Sequence, residues 1–258
     1  MVRTELSPRW VRGFVREVAV VDSRSPLLFW EDDFPVPNYA FDPADVRQDL
    51  LRPAAGEPPS QPWFFLPQGP VSAWFDLEVA DRRLRHAVWR RDAPELGDRL
   101  VLSWQPGLLD RWLEEDEEVG GHPRDPYKRV DALPSSRRVV VSLDGVELAD
   151  SRSPVLLFET GLPTRYYLPE QDVHLDRLRA ADQRSHCPYK GVADRYWDVP
   201  DHPDGAGLAW SYGQPYPAVG RIRDRIAFYN ELVDITVDGV PEPRPVSPFT
   251  ELAHRRTS

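Results

Sequence analysis

Cysteine and lysine are what this chain has least of: one cysteine, Cys187, and two lysines, Lys128 and Lys190, among 258 residues. A single thiol cannot close an internal disulfide, so nothing in the sequence points to an oxidising compartment. No run of about 18 apolar residues occurs, and Met1 to Trp10 has no apolar h-region. Neither a membrane span nor a signal peptide is therefore expected, and the chain reads as cytoplasmic. An excess of positive charge is missing too. The net charge is -10, and the arginines are interspersed with aspartate and glutamate, which argues against a phosphate-binding face and hence against nucleic acid as a partner. No Cys-x-x-Cys, His-x-x-x-His or Asp-rich calcium loop is present, so no metal is expected. Without a Gly-x-Gly-x-x-Gly stretch or a phosphate-binding loop, no cofactor is expected either. No Gly-x-Ser-x-Gly elbow marks a serine nucleophile.

The scarce residues collect in two loops. One is Ser185-His186-Cys187-Pro188-Tyr189-Lys190-Gly191; the other is His122-Pro123-Arg124-Asp125-Pro126-Tyr127-Lys128, and both lysines end a Pro-Tyr-Lys triplet. Around them runs an internal repeat. Residues 18–53 correspond to 146–180, most clearly in Asp22-Ser23-Arg24-Ser25-Pro26 and Asp150-Ser151-Arg152-Ser153-Pro154, with Glu31 answering Glu159 and Tyr39 answering Tyr166. A unit this long seen twice indicates tandem domains and not a solenoid. The expected layout is a first repeat at 10–106, a linker at 107–135 holding the acidic run Glu114 to Glu118, a second repeat at 136–240 and a proline-rich tail at 241–258. The acidic run is expected on a solvated surface, and the tail, with His254-Arg255-Arg256, loosely held.

In the second repeat, Asp144-Gly145 between two apolar runs signals a hairpin with a type I′ turn. Val155 to Glu159 and Arg165 to Leu168 read as a second hairpin. The Glu170 to Ala180 stretch, with Val173, Leu175 and Leu178 apolar, predicts a short amphipathic helix, and Pro217 opens another carrying Val219, Ile222 and Ile226. Tyr196-Trp197-Asp198-Val199 and Leu208 to Tyr212 read as strands. The expected class is α+β: two tandem copies of a small, mostly antiparallel β domain with two short helices each. The first copy departs in its chemistry, because Gln61 stands where Cys187 would, and Phe64 to Gln68 where Lys190 would.

Pro188 favours a tight turn that brings Cys187 and Lys190 within roughly 7 Å between α-carbons. A thiol beside an ammonium, with His186 adjacent, suits nucleophilic chemistry, whereas a buried free cysteine that merely packs is the competing reading. Lys190 is equally a point charge for a ligand carboxylate or phosphate. Tyr167, Tyr196, Trp197, Trp210 and Tyr212 are either walls of a ligand pocket or core aromatics of the strands.

The chain resembles the family catalogued as domain of unknown function 427. The resemblance lies in Asp144-Gly145 with Ala149-Asp150-Ser151, Tyr166-Tyr167-Leu168-Pro169, His186-Cys187-Pro188-Tyr189-Lys190-Gly191, Ala209-Trp210-Ser211-Tyr212 and Ile226-Ala227-Phe228-Tyr229. It implies a small β-rich fold and no established reaction. The nucleotidyltransferase label sometimes given to the family is not adopted, since the Gly-Ser and paired aspartates that hold Mg²⁺ in such enzymes are lacking here.

Three readings follow. In the first, the protein is an enzyme on a small organic molecule, neutral or anionic: Cys187 is the reactive group, Lys190 tunes it or anchors substrate, His186 or Tyr189 carries a proton, and His122, Arg124, Tyr127 and Lys128 supply ligand contacts. The second is a non-catalytic small-molecule-binding module, and the third a scaffold whose acidic run meets a basic protein. A monomer or weak homo-oligomer is expected.

Overall fold

The computed structural model describes residues 1–32, 34–60, 62–247 and 250, which fall into two compact units, Met1–Asp125 and Pro126–Ser258. Gln61 and the His254-Arg255-Arg256 tail lie outside the described residues.

In the first unit a seven-stranded antiparallel sheet runs in the order Val2–Leu6, Leu27–Glu31, Asn38–Phe41, Leu100–Leu102, Arg82–Arg91, Val71–Val79 and Leu51–Pro53. A four-stranded sheet runs Glu117–Glu118, Arg111–Glu114, Val11–Val15 and Val18–Ser23. The second unit has a seven-stranded sheet in the order Val130–Pro134, Val155–Glu159, Arg165–Pro169, Arg225–Phe228, Ala209–Ser211, Arg195–Asp198 and Arg179–Ala181. Its four-stranded sheet runs Val146–Ser151, Val139–Leu143, Asp234–Val237 and Val240–Glu242. Taken strand by strand in chain order, the connectivity of these sheets is the same in both units. The second adds a two-stranded hairpin, Ser185–Cys187 with Gly191–Ala193; the first has there a short 3-10 turn, Trp63–Phe65.

The Asp144-Gly145 turn forms as its residues demand, with φ of 48° and 79°, values that Asp and Gly tolerate. In the Val139–Leu143 strand, buried and half-buried residues alternate, so one face packs inward. Each large sheet therefore has two apolar faces. In the second unit one face joins the four-stranded sheet through Val139, Val141, Leu156, Leu168, Ile226 and Phe228. The opposite face carries Leu157, Tyr167, Tyr196, Trp210, Tyr212 and Ala227.

The α+β expectation, with two helices per domain, is corrected: the described residues are nearly all β. Glu170 to Ala180 is not a helix but two single 3-10 turns, Glu170–Asp172 and Leu175–Arg177, followed by the Arg179–Ala181 strand. Val173 and Leu178 are extended. Val173 bridges to Ala149, and the His174 N–H donates to Leu148 O. So short a segment gains little as an isolated helix, and bonding to the sheet prevails. Pro217–Ile222 is likewise 3-10, broken at Val219.

The 107–135 stretch, expected as a linker, contains strands of both units. Within its acidic run, Glu114 is buried rather than solvated: it accepts bonds from the Tyr39 hydroxyl and the Arg124 N–H, both at 3.0 Å, and pairs with Arg9.

Candidate functional site

The hairpin carrying Cys187 lies in the chain between the Arg179–Ala181 and Arg195–Asp198 strands. Its turn closes with the Lys190 N–H donating to Cys187 O at 3.3 Å, the tight turn that Pro188 favours. Gly191 then takes φ 95°, and a β-carbon there would stand 3.4 Å from Gln214 O. Only glycine meets both conditions without strain. The Tyr216 N–H donates to Lys190 O at 3.1 Å, fixing the hairpin to the segment before Pro217.

This turn sends the Lys190 side chain inward, where only 12% of it is exposed and its ammonium donates to Glu159 Oε2 at 2.5 Å. Glu159 ends the Val155–Glu159 strand and is itself buried. The other carboxylate oxygen, Oε1, lies 4.0 Å from Lys128 Nζ. Lys128 is brought there because Val130, two residues on, pairs with Glu159. The only two lysines of the chain thus converge on one carboxylate. Burial opposes the Lys190 charge, but the neighbouring Cys187 and Glu159 outweigh it and raise its pKa above the usual lysine range.

Behind the turn stand aromatic hydroxyls. Tyr167 is fully buried, accepts a bond from Trp210 Nε1 at 3.3 Å, and has its pKa raised by burial to about 12. Tyr212 is 3% exposed. Burial, together with nearby Tyr167 and Cys187, raises its pKa well above the usual tyrosine range. Tyr196 shares a 2.6 Å bond with Ser185 Oγ. Arg165, paired with Glu231 at 2.7 Å, lies over the rings of Trp210 and Tyr229 and holds that wall.

Of the residues singled out in the sequence, Cys187 is half-buried, and Lys190, Lys128, Tyr167, Trp210, Tyr196 and Tyr212 are on or beside this face. His186 Nε2 meets the Tyr216 hydroxyl at 3.4 Å, and Tyr189 is half-buried within the turn. Trp197 packs against the core between the two sheets, on the opposite face of its strand. Tyr127 is 58% exposed. His122 and Arg124 belong to the first unit, where His122 Nδ1 meets Pro123 O at 2.7 Å and Arg124 pairs with Glu117. Sequence reasoning missed Glu159 as a site residue, although its correspondence with Glu31 was in view.

The first unit treats the matching position differently. Glu31, at the end of Leu27–Glu31, accepts from Arg91 Nε at 3.0 Å and Nη2 at 2.5 Å. Beside it a narrow cavity is lined by Phe34, Phe64, Trp89, Trp104 and His122 among others.

Among the described residues, no group of three or more His, Cys, Asp or Glu side chains is arranged to hold a metal ion, and no helix is long and apolar enough to cross a membrane.

Residues 131–239 match the family model described as a domain of unknown function, number 427. The resemblance read from the Cys-Pro-Tyr-Lys-Gly core therefore holds over most of the second unit. No curated protein matches the chain.

Proposed function

We propose that the second unit takes a small organic molecule against its buried aromatic face and acts on it through Cys187. The observation that carries this reading is a half-buried cysteine joined through one tight turn to a lysine whose ammonium the fold has taken out of solvent. A nearby cation favours the nucleophilic form of a thiol, and Glu159 fixes that cation in place. His186, bonded to Tyr216, is the proton carrier beside it. On this reading the two units are copies of one domain that share connectivity but not chemistry, in a cytoplasmic monomer or weak homo-oligomer.

The test is the rate at which iodoacetamide labels Cys187 at neutral pH. Replacing Lys190 by methionine is expected to slow it by at least about tenfold, the loss of one 1.4 kcal/mol interaction. An unchanged rate in a folded variant would count against the proposal. A non-catalytic binding module is the second reading, favoured by Lys190 being already paired with Glu159. It requires that ligands raise the melting temperature of wild type and of Cys187→Ser equally, with no product formed.

A further inference from the structure

Where the second unit carries its cysteine hairpin, the first has the Trp63–Phe65 turn, and Phe64 and Phe65 of that turn line the cavity beside Glu31. The wall is built of rings in contact. Phe34 lies 5.5 Å and His122 6.0 Å from Phe64 between centroids. The Leu27–Glu31 strand contributes Phe29, the Arg82–Arg91 strand Trp89, and the segment after Leu100–Leu102 Trp104.

The polar groups of this lining are mostly committed. Glu31 is closed by Arg91, so its charge is compensated. His122 meets Pro123 O through Nδ1, and Asn38 Oδ1 accepts from the Tyr39 N–H. The two indoles differ. Trp89 and Trp104 are 3% and 7% exposed, and the buried N–H of each has no acceptor among the described residues. Buried donors ordinarily find acceptors, and one left without costs free energy. Trp112 stacks on one face of Trp104 at 4.3 Å, so the other face and the edge are what remain for the cavity.

We propose that this cavity is a binding site for a neutral molecule that carries one aromatic ring and a carbonyl or ring-nitrogen acceptor. The ring packs against Phe34, Phe64 and the indoles, as aromatic pairs favour, and the acceptor takes the N–H of Trp89 or Trp104. A carboxylate is excluded. It would leave water with no cation to meet, because Arg91 is spent on Glu31 and Pro70 O, and burying an unpaired charge is costly. The site does not use Cys187 and is independent of the reading of the second unit.

Acetophenone and α-methylstyrene test it, since they share a shape and differ in C=O against C=CH2. Each is titrated into the full chain with nitrogen-15-labelled indoles, the Trp89 and Trp104 signals being identified from Trp89→Phe and Trp104→Phe. Acetophenone should shift at least one of these N–H signals saturably, and α-methylstyrene should bind at least about tenfold more weakly, for want of one hydrogen bond. Benzoate should not bind there. Phe64→Ala and Phe34→Ala should each weaken acetophenone at least about tenfold, with the remaining indole signals reporting that the variant is folded, and Cys187→Ser should leave binding unchanged. If the indole variants fail to fold, the ratio between the two neutral probes and its loss in a folded wall variant decide. No saturable binding of acetophenone would overturn the proposal. So would equal affinity for the two neutral probes, benzoate binding as tightly as acetophenone, or acetophenone binding that both wall variants leave intact.

Discussion

The two units place a glutamate at the same point of the same sheet and neutralise it by different means. Glu31 faces Val2 across its strand pair and Glu159 faces Val130. In the first unit the cation is Arg91, two residues beyond Trp89; two residues beyond the matching Trp210 the second unit has Tyr212. Arg91 directs two N–H groups to Glu31 and a third to Pro70 O. A rigid guanidinium fork is thus largely consumed by its partners, and a closed ion pair results. The second unit reaches Glu159 with two flexible ammoniums from outside the strand, and most of their donors stay unspent. The difference teaches that one scaffold position is closed into an ion pair by a strand arginine in the first unit and shared between two turn lysines in the second.

Breaking each pair tests that contrast most strongly. Arg91→Met should cost about 3–5 kcal/mol in urea denaturation, the penalty for stranding a buried carboxylate, because Glu31 has no second cation within salt-bridge distance among the described residues. Lys190→Met should cost clearly less, since Lys128 remains beside Glu159. Equal costs would show that Lys128 does not share the carboxylate.

Alkaline stability gives a smaller, second discrimination. Burial raises Tyr167 to about 12 from 10.0, so the folded state holds a proton that the unfolded chain releases near pH 10. Its contribution is therefore complete below about pH 10 and falls away between 10 and 12, by about 2–3 kcal/mol at 1.36 kcal/mol per pH unit. The first unit has Ala40 at the matching place. Tyr167→Phe should remove this share of the loss and leave the share that Tyr212, whose pKa burial also raises, contributes, and Ala40→Gly should leave its pH dependence unaltered. A wild-type slope in the Phe variant would show that another group is responsible.

The smallest effect concerns the turn. Gly191→Ala forces a side chain to φ 95° and should cost about 1–2 kcal/mol, while changing the labelling rate of Cys187. Gly69→Ala in the first unit drives a β-carbon into the Arg91 guanidinium and should perturb the Glu31 pair with no effect on Cys187. Altered Cys187 labelling in the Gly69 variant would break the comparison.

Much of this was legible from residues acting locally. Asp144-Gly145 and Cys187-Pro188 announce their turns because the turn chemistry lies in the residues themselves. The 170–180 stretch misled because Val173, Leu175 and Leu178 fit a short helix as well as they fit alternating 3-10 and extended segments; bonds to Leu148 and Ala149, over 20 residues away, decide between them. Trp197 and Tyr196 read alike in the sequence, as pocket walls or core aromatics; strand register, set for Trp197 by pairing with Ala180 and Ala209, sends them to opposite faces. Glu159 could be matched to Glu31 by repeat, but its lysine partners come from turns 31 residues to either side, a convergence only the assembled sheet produces.

The Ser185–Cys187 and Gly191–Ala193 strands form a backbone ladder with each other and with no other strand among the described residues. The sulfur therefore rides on a cassette whose ladder can be exchanged without unzipping either large sheet. Transplanting a different loop between Arg184 and Asp194 would re-equip the same chassis, much as a tool head is changed on a fixed handle.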